Sequence, residues 1–424
     1  MFNLIKKLKI KRRLIAVLAG WHFFGNPSKK IKIIGVTGTN GKTTTATLLY
    51  KIATDLGYKT GLIGTVDNII VKEKREALRT TPSPINLNKL LKEMVEKDCE
   101  YVFMEVSSHA LDQNRVAGVN FTGGIFTNLT HDHLDYHKDL KNYFKAKKKF
   151  FEMLPQNAFA LSNMDDEYGN AMLDGIKAEK FFYGFGEETE IVDFYGKILK
   201  SNFSGLELDF NGPARMTEVI QSGGEKINSK LLGKFNAYNL LAVWSASKLL
   251  DFNMEKVKNI LKEIESPRGR FEHFMSSNGV LVIVDYAHSP DALEKVLFTI
   301  KEVKSKNGRI ISVFGCGGDR DPFKRSKMGK IGASLSDIAI FTSDNPRNED
   351  PDRIIDNMKD SLAYEEIKKI ITISDRRLAI EEAVELAKKG DIILCAGKGH
   401  EEYQEIKGIK NHFNDMEEFK KVLK

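Results

Sequence analysis

Short runs of apolar, β-branched residues recur along this chain, and most are followed by a stretch with helical spacing. IKIIGV (31–36) reads as a buried strand, and TTTATLLYKIATDLG (43–57) behind it repeats apolar positions three and four apart and stops at Gly57. YVFMEVS (101–107), GGIFTNL (123–129), NAFALSN (157–163) and KFFYGF (180–185) are further strand candidates, with INLNKLLKEMVEK (85–97) a helix among them. Such alternation predicts an α/β fold whose parallel sheet is covered on both faces. Residues 190–232 break the rhythm with polar, glycine-containing short strands, the pattern of an antiparallel excursion. NAYNLLAVWSASKLLDF (236–252) and MEKVKNILKEI (254–264) return to helical spacing, and SPRGRFE (266–272) reads as a linker. Alternation then restarts with GVLVIVDYA (279–287), a helix from Pro290, RIISVFG (309–315), DIAIFTS (337–343), KKIITIS (368–374) and DIILCAG (391–397). No internal repeat is visible. The expected organisation is a basic amphipathic segment over residues 1–30, a central parallel-sheet domain over 31–265, and a doubly wound, Rossmann-like C-terminal domain over 266–424.

Composition adds little to this picture except at the start of the chain. The 424 residues are 42% hydrophobic and 29% charged, ordinary for a globular protein. The net charge of +7 lies largely in KKLKIKRR (6–13), so the remainder is nearly balanced and charge gives a nucleic-acid partner no support. Three scattered cysteines, Cys99, Cys316 and Cys395, make neither a disulfide framework nor a zinc ribbon, and a reduced, cytoplasmic setting is the simpler reading. LIAVLAGWHFF (14–24) is too short for a bilayer span, which needs about 20 residues. Two readings of it stand: a helix packed on the protein body, or one lying on an anionic membrane face with Trp21, Phe23 and Phe24 as anchors. A secretory signal has the same order of charge and apolar run, but no small-x-small cleavage site follows here.

The chemistry gathers around GVTGTNGKTTTATLL (35–49). A strand, a glycine turn and a helix place backbone N–H groups and a helix N-terminus around phosphate oxygens. The common phosphate-loop pattern G-x-x-x-x-G-K-[ST] would need glycine at Val36, so this loop is a variant, with Gly38 and Gly41 making the turn. Lys42 would reach the outer phosphates of a nucleotide and Thr43 would place a hydroxyl on Mg²⁺. Glu105, in MEVSSHAL (104–111), stands at a strand's end, where ligands bind in open α/β sheets. TNLTHDHLDYH (127–137) holds three histidines, and FKAKKKFF (144–151) holds lysines on a helix. Taken singly, the histidines also fit a solvated turn and the lysines a charged helix face. A carboxylate, a histidine and a lysine are a poor Mg²⁺ site unless the lysine is carbamylated by CO₂ and so presents a carboxylate.

In order along the chain, GTNGKTT, MEVSSHAL, TNLTHDHLDYH, GKFNAYN, GRFE, VDYAHSPDAL, GCGGDRD, DNPR and AGKGHE resemble the motifs of the Mur ligases, over about residues 31–415. Within that family they look most like the E-type branch, which adds the third residue of the peptidoglycan stem peptide. The family's loop reads T-G-T-N-G-K-[ST], which accounts for the glycine at position 38 and for Gly38, Thr39, Asn40, Gly41, Lys42, Thr43 and Thr44 as an ATP site. The resemblance implies a central P-loop ATPase domain. It implies transfer of the γ-phosphoryl group of ATP to a substrate carboxylate, then attack of an amine on the acyl phosphate. Glu105 and His133 match the family's metal ligands, with Thr43, and Lys147 matches its carbamylated lysine, so two Mg²⁺ ions and N6-carboxylation of Lys147 are implied. Asn236, Asn239, Arg270 and Asp285 match its adenine and ribose contacts; Asp285 is expected as an exposed acceptor at a strand end, although a turn cap is the bland alternative.

For the acceptor amino acid, DNPR (344–347) resembles the form that selects meso-diaminopimelate over lysine. Arg347 can fork onto its distal carboxylate, with Asp344 and Asn345 beside it. Arg320 matches a holder of the other carboxylate, and Gly397 and Glu401 match residues that take the distal ammonium. Thr80, Thr81, Ser107, Gln113 and Arg115 match contacts to the nucleotide-sugar peptide, UDP-MurNAc-L-Ala-D-Glu. E-type relatives carry a uridine-binding domain ahead of the loop; about 30 residues precede it here, so the expectation is a chain without those contacts. A folylpolyglutamate synthase-like or lysine-adding ligase and a P-loop phosphotransferase are the rival readings.

Overall fold

The computed structural model describes residues 24–186, 192–212 and 224–423. The membrane-face or body-packed helix expected before residue 24 lies outside the described residues. The chain divides into two compact units: the residues up to Lys200 with Gly205–Ile264, and Glu265–Lys424 with the short segment Ser201–Ser204.

The first unit is built on one sheet. Its strands are β1 (Lys32–Thr37), β2 (Thr60–Ile63), β3 (Asp67–Ile70), β4 (Glu73–Glu76), β5 (Tyr101–Glu105), β6 (Gly123–Phe126), β7 (Phe159–Asn163), β8 (Glu179–Gly184), β9 (Phe194–Asn202), β10 (Gly205–Asn211) and β11 (Glu225–Ser229). They lie in the order β11-β10-β9-β8-β7-β6-β1-β5-β2-β3-β4. From β2 to β9 through the centre the neighbours run parallel.

The continuous apolar runs of the central strands follow from burial on both faces. Ile34, Phe103, Ile125 and Leu161 enter one core with Leu48, Leu240 and Trp244 from the helices Lys42–Asp55 and Lys234–Leu249. Their chain neighbours Ile33, Val102, Phe126 and Ala160 enter the other, with Leu91 and Phe150 from the helices Pro84–Glu96 and Leu140–Glu152. β1 pairs with β5 and β6 so that Val36 stands opposite both Glu105 and Ile125. The loop after β1, Glu105 and Thr127 therefore all emerge at the carboxyl edge of the sheet.

The sheet is mixed rather than wholly parallel. β10 and β11 form the antiparallel excursion expected over 190–232, of which residues 213–223 are outside the description. At the other end β3 and β4 add two antiparallel strands that the apolar pattern did not announce. β4 is the charged tetrapeptide Glu-Lys-Arg-Glu, mostly exposed at the sheet's edge, where charge discourages pairing with another chain.

In the second unit β12 (Glu272–Met275), β13 (Leu281–Asp285), β14 (Ile310–Phe314), β15 (Ile338–Phe341), β16 (Ile370–Thr372) and β17 (Ile392–Ala396) lie in the order β12-β13-β17-β14-β15-β16. Only β12 is antiparallel, and it begins at the end of the segment expected as a linker. β18 (Tyr403–Ile406) and β19 (Ile409–His412) form a separate hairpin. The three cysteines are free and buried. Among the described residues no helix is long and apolar enough to cross a membrane.

Candidate active site

In the loop after β1, glycine is required at two positions by close approach. A Cβ on Gly38 would stand 1.8 Å from Thr127 Oγ1, and one on Gly41, whose φ is +83°, would stand 2.5 Å from Asn239 Oδ1. Gly41 also starts the helix Lys42–Asp55 without a side-chain cap, so the first-turn N–H groups are left for a ligand. The loop is held from β6's end: Thr39 N donates to Asn128 O at 2.8 Å, Asn40 N to Asn128 Oδ1 at 2.9 Å, and Thr127 Oγ1 to Asn40 O at 2.6 Å. Lys42 Nζ is folded over its own loop, donating to Thr39 O at 2.7 Å and Gly38 O at 3.0 Å. Thr44 is buried in the first turn. Asn236 and Asn239 bond to each other at 3.1 Å, one helical turn apart, which sets Asn239 against Gly41.

Glu105, 1% exposed, is surrounded by hydroxyls. Thr43 Oγ1 donates to its Oε2 at 2.9 Å, Thr65 Oγ1 to the same oxygen at 3.1 Å, and Thr65 N to Oε1 at 2.7 Å. Thr65 in turn reaches Thr80 Oγ1 at 3.0 Å. Thr81 Oγ1 donates to Glu105 O at 2.8 Å and accepts from Ser107 N at 3.1 Å. Arg115 donates to Thr81 O at 2.9 Å and, through Nε and Nη2, to Gln113 Oε1 at 3.0 and 2.8 Å. All five residues assigned by resemblance to the sugar-peptide thus form one network anchored on Glu105. Thr65 is an addition; no motif marked it, and its place two residues past the end of β2 is the only signal.

Lys147 is 1% exposed, and its Nζ donates to Gly38 O at 2.6 Å. Burial, with Lys42 close by, pushes its pKa well below the usual lysine range, which favours the neutral amine. The amine lies 4.6 Å over the Tyr143 ring, and Tyr143 Oη is 3.1 Å from Thr39 Oγ1. Tyr143 is one helical turn before Lys147, a spacing that puts both on one face and could have singled it out. His133 is exposed, with φ +53°, its ring 6.4 Å from that of Tyr143 and its Nε2 3.6 Å from Asp132 Oδ2. His137 is buried, bonded to Ser108 Oγ at 3.0 Å and stacked on Tyr143; burial, then His109, lowers its pKa to about 4. The loop, Glu105 and Lys147 are thereby linked through Thr43 and Gly38, while the exposed His133 stands at the edge of the group, beside the Tyr143 ring.

As to metal, Thr43 and Glu105 form a pair of hard oxygen donors at the helix N-terminus, the kind Mg²⁺ takes together with phosphate oxygens. Among the described residues no group of three His, Cys, Asp or Glu could hold a metal by itself. The donors fit a Mg²⁺ ion shared with a nucleotide, and a second ion would need a further anionic ligand.

On the second unit, Asp285 stands at the end of β13 as expected and is half-buried rather than exposed. It is set back from solvent, and its oxygens accept from Phe271 N at 2.7 Å and Ala287 N at 2.8 Å, the bonding of a turn cap. Burial raises its pKa against the pull of Arg270. The Arg270 guanidinium stacks 4.8 Å over Tyr286, and its Nε has no hydrogen-bond partner among the described residues. The acceptor motifs converge. Asn345 Nδ2 donates to Glu401 Oε2 at 2.8 Å, while Asn345 Oδ1 accepts from Glu405 N at 2.9 Å and Lys398 Nζ at 3.2 Å. Arg347, at φ +51°, donates to Gly318 O at 2.8 Å and pairs with Glu405 at 3.3 Å. Asp344 Oδ2 would stand 2.7 Å from a Cβ on Gly397, so only glycine lets these two loops touch. Arg320 is exposed near Gly317. Fully buried Lys398, bonded to Glu401 at 3.1 Å, was in plain view inside AGKGHE but carried no assignment.

A phosphate loop, a carboxylate and a neutral-leaning lysine on one unit, and a cluster of charged and amide side chains on the other, define an ATP-dependent ligase that couples an acid to an amine. The Mur ligase middle domain matches residues 36–247 and the Mur ligase glutamate ligase domain matches 269–399; the chain belongs to the Mur ligase family. It is 51% identical over 401 residues to a protein of Parabacteroides distasonis named UDP-N-acetylmuramoyl-L-alanyl-D-glutamate--2,6-diaminopimelate ligase, covering 95% of this chain and 79% of that one. A solved structure of a ligase with the same name superposes at a TM-score of 0.68 with 31% identity, over 97% of this chain and 82% of the other. A folylpolyglutamate synthase from Mycobacterium tuberculosis, complexed with ADP and AMPPCP, reaches a TM-score of 0.69 at 17% identity, covering 91% of this chain and 92% of its own, a likeness of fold alone.

Proposed function

We propose that this chain adds meso-diaminopimelate to UDP-MurNAc-L-Ala-D-Glu at the expense of ATP, in peptidoglycan precursor synthesis. The observation that carries the reading is Lys147: a fully buried amine, not a surface cation, 2.6 Å from the Gly38 carbonyl that Lys42 also contacts. A structural lysine gains little from such a place, since burial disfavours its charge. A neutral amine can take up CO₂, and carboxylated Lys147, Glu105, His133 and Thr43 would then hold two Mg²⁺ ions. Those ions would offset the mutual repulsion of triphosphate and carboxylate.

The chain's own residues supply position and charge. The uncapped helix N-terminus and Lys42 bind the phosphates; Thr80, Thr81, Ser107, Gln113 and Arg115 seat the sugar-peptide beside Glu105. A substrate carboxylate oxygen forms a bond to the γ-phosphorus as the bond to ADP breaks. The amine of diaminopimelate then attacks the acyl carbon; the C–N bond forms, inorganic phosphate leaves and the amine loses its proton. Asn236 and Asn239, with Arg270 and Asp285, are assigned to adenine and ribose. Arg347 and Asn345 are assigned to the distal carboxylate of the diamino acid, Glu401 and Gly397 to its ammonium, Asp344 to the same pocket and Arg320 to the remaining carboxylate.

Identity favours this over the folylpolyglutamate reading, for which only fold likeness speaks. The test is phosphate release from ATP, Mg²⁺ and the sugar-peptide with diaminopimelate or lysine in turn. Release with diaminopimelate and a matching product mass supports the reading; release with lysine alone, or without any amine, counts against it. We also place the enzyme in the cytoplasm, with residues 1–28 touching the inner membrane surface through their basic run; failure of the purified protein to bind anionic vesicles would remove that part.

A further inference from the structure

Behind the acceptor loops lies an ion pair that the reaction does not use. Arg376 opens the helix Arg376–Leu386 and Asp415 the helix Asp415–Val422; both side chains are wholly buried. The guanidinium forks onto the carboxylate, Nε to Oδ1 at 2.7 Å and Nη2 to Oδ2 at 2.8 Å. Burial opposes the charge on Arg376, and Asp415 outweighs it, holding its pKa above the ordinary value. Nη2 also donates to Ala396 O at 3.0 Å, with Cys395 Sγ 3.3 Å away, and Nη1 donates to Ser343 O at 3.4 Å. Ser343 and Ala396 immediately precede Asp344 and Gly397, the residues at which the two acceptor loops touch.

Stability alone does not call for this arrangement. Burying both charges carries a desolvation penalty, and apolar side chains of similar volume often do as well or better. Apolar side chains cannot bond the two carbonyls where the chain leaves the sheet. A rigid fork can, and it ties both loops to two helix N-termini at once.

We propose that the Arg376–Asp415 pair is a positioning device for the acceptor amino acid, fixing Asp344–Arg347 against Gly397–Glu401 from beneath. The proposal rests on the reading of that pocket given above. Misplacement of a binding group by about 1 Å can cost a hundredfold in rate.

The test compares R376M/D415L, which removes both charges and keeps apolar volume, with R376K, which keeps charge but loses the fork. Two readouts separate this inference from the reading beneath it. The first is steady-state kinetics in the full-length enzyme. KM for diaminopimelate is expected to rise at least about tenfold, or about 1.4 kcal/mol, while KM for ATP and for the sugar-peptide changes less than about twofold. The second needs no substrate: hydrogen–deuterium exchange across residues 344–348 and 397–402 is expected to quicken in both variants, with the sheet strands unchanged. Should R376M/D415L fail to fold, R376K is read by the same two measurements. A folded variant with unchanged acceptor KM, a parallel rise in all three KM values, or unchanged exchange in both loops overturns the proposal. Wild-type protein inert toward diaminopimelate would instead overturn the function, leaving the exchange result to decide the positioning role.

Discussion

The Thr43 hydroxyl donates to Glu105 Oε2 at 2.9 Å, joining the first turn of the phosphate-loop helix to the end of the neighbouring parallel strand. Through Thr65 and Thr81 the same residue is tied to the residues assigned to the sugar-peptide. Glu105 is therefore the point where nucleotide and acid are expected to come together. Glu105→Gln keeps the shape and removes the charge. Its kcat/KM is expected to fall about 100-fold to about 1,000-fold, the usual scale for an electrostatic group acting at the transition state, with circular dichroism unchanged. A loss below about threefold, within the range of a surface substitution, would place the acid elsewhere.

Gly41→Ala tests the loop's geometry. The new methyl must displace Asn239 and accept a φ of +83°, a strain of about 1–3 kcal/mol. Nucleotide affinity, read by titration calorimetry with an ATP analogue, is expected to fall more than about tenfold, or about 1.4 kcal/mol. Gly57→Ala, where a Cβ meets nothing within 4 Å and φ is +100°, carries the backbone strain without the clash. It should cost stability and leave affinity intact.

Acid stability follows from two imidazoles, His137 buried and His400 half-buried. In the folded protein burial lowers His137 from 6.5 to about 4 and His400 from 6.5 to about 3. Above about 6.5 both are neutral folded or unfolded and contribute no pH dependence. As pH drops from there toward 4, the unfolded chain takes up protons that the folded one refuses, so stability is lost. Urea midpoints should therefore fall across that window, and His137→Gln should flatten part of the slope. An unchanged slope would mean His137 is not held neutral.

Arg347→Lys separates a forked contact from a point charge. A charge-assisted hydrogen bond is worth about 1.5–3 kcal/mol, so KM for diaminopimelate should rise about 10-fold to about 100-fold with little change for ATP. Equal effects on both would remove Arg347 from the acceptor pocket.

What the sequence could show depended on how much each feature leaned on distant residues. β1, β5, β6 and β7 are buried on both faces and so announce themselves as apolar runs. β4 is four charged residues whose strand character comes only from β3 beside it, and nothing local marks it. The loop was legible because Gly38, Gly41 and Lys42 fall within five consecutive residues, whereas Thr65 serves the site from another strand's end. Asp285 was legible in both of its readings, a strand-end acceptor and a turn cap, but its backbone partners at 271 and 287 depend on how the turn folds. Arg376 and Asp415, 39 residues apart, carry no motif, and only their burial reveals them.

Phosphate from ATP is expected to pass through the substrate's carboxylate. Sugar-peptide labelled with ¹⁸O in the reacting carboxyl group, turned over with ATP and diaminopimelate, tests it directly by mass spectrometry of the released phosphate. One labelled oxygen in each phosphate is the predicted result, since the carboxylate oxygen stays with phosphorus when the amine displaces it. Unlabelled phosphate alongside amide product would contradict the account.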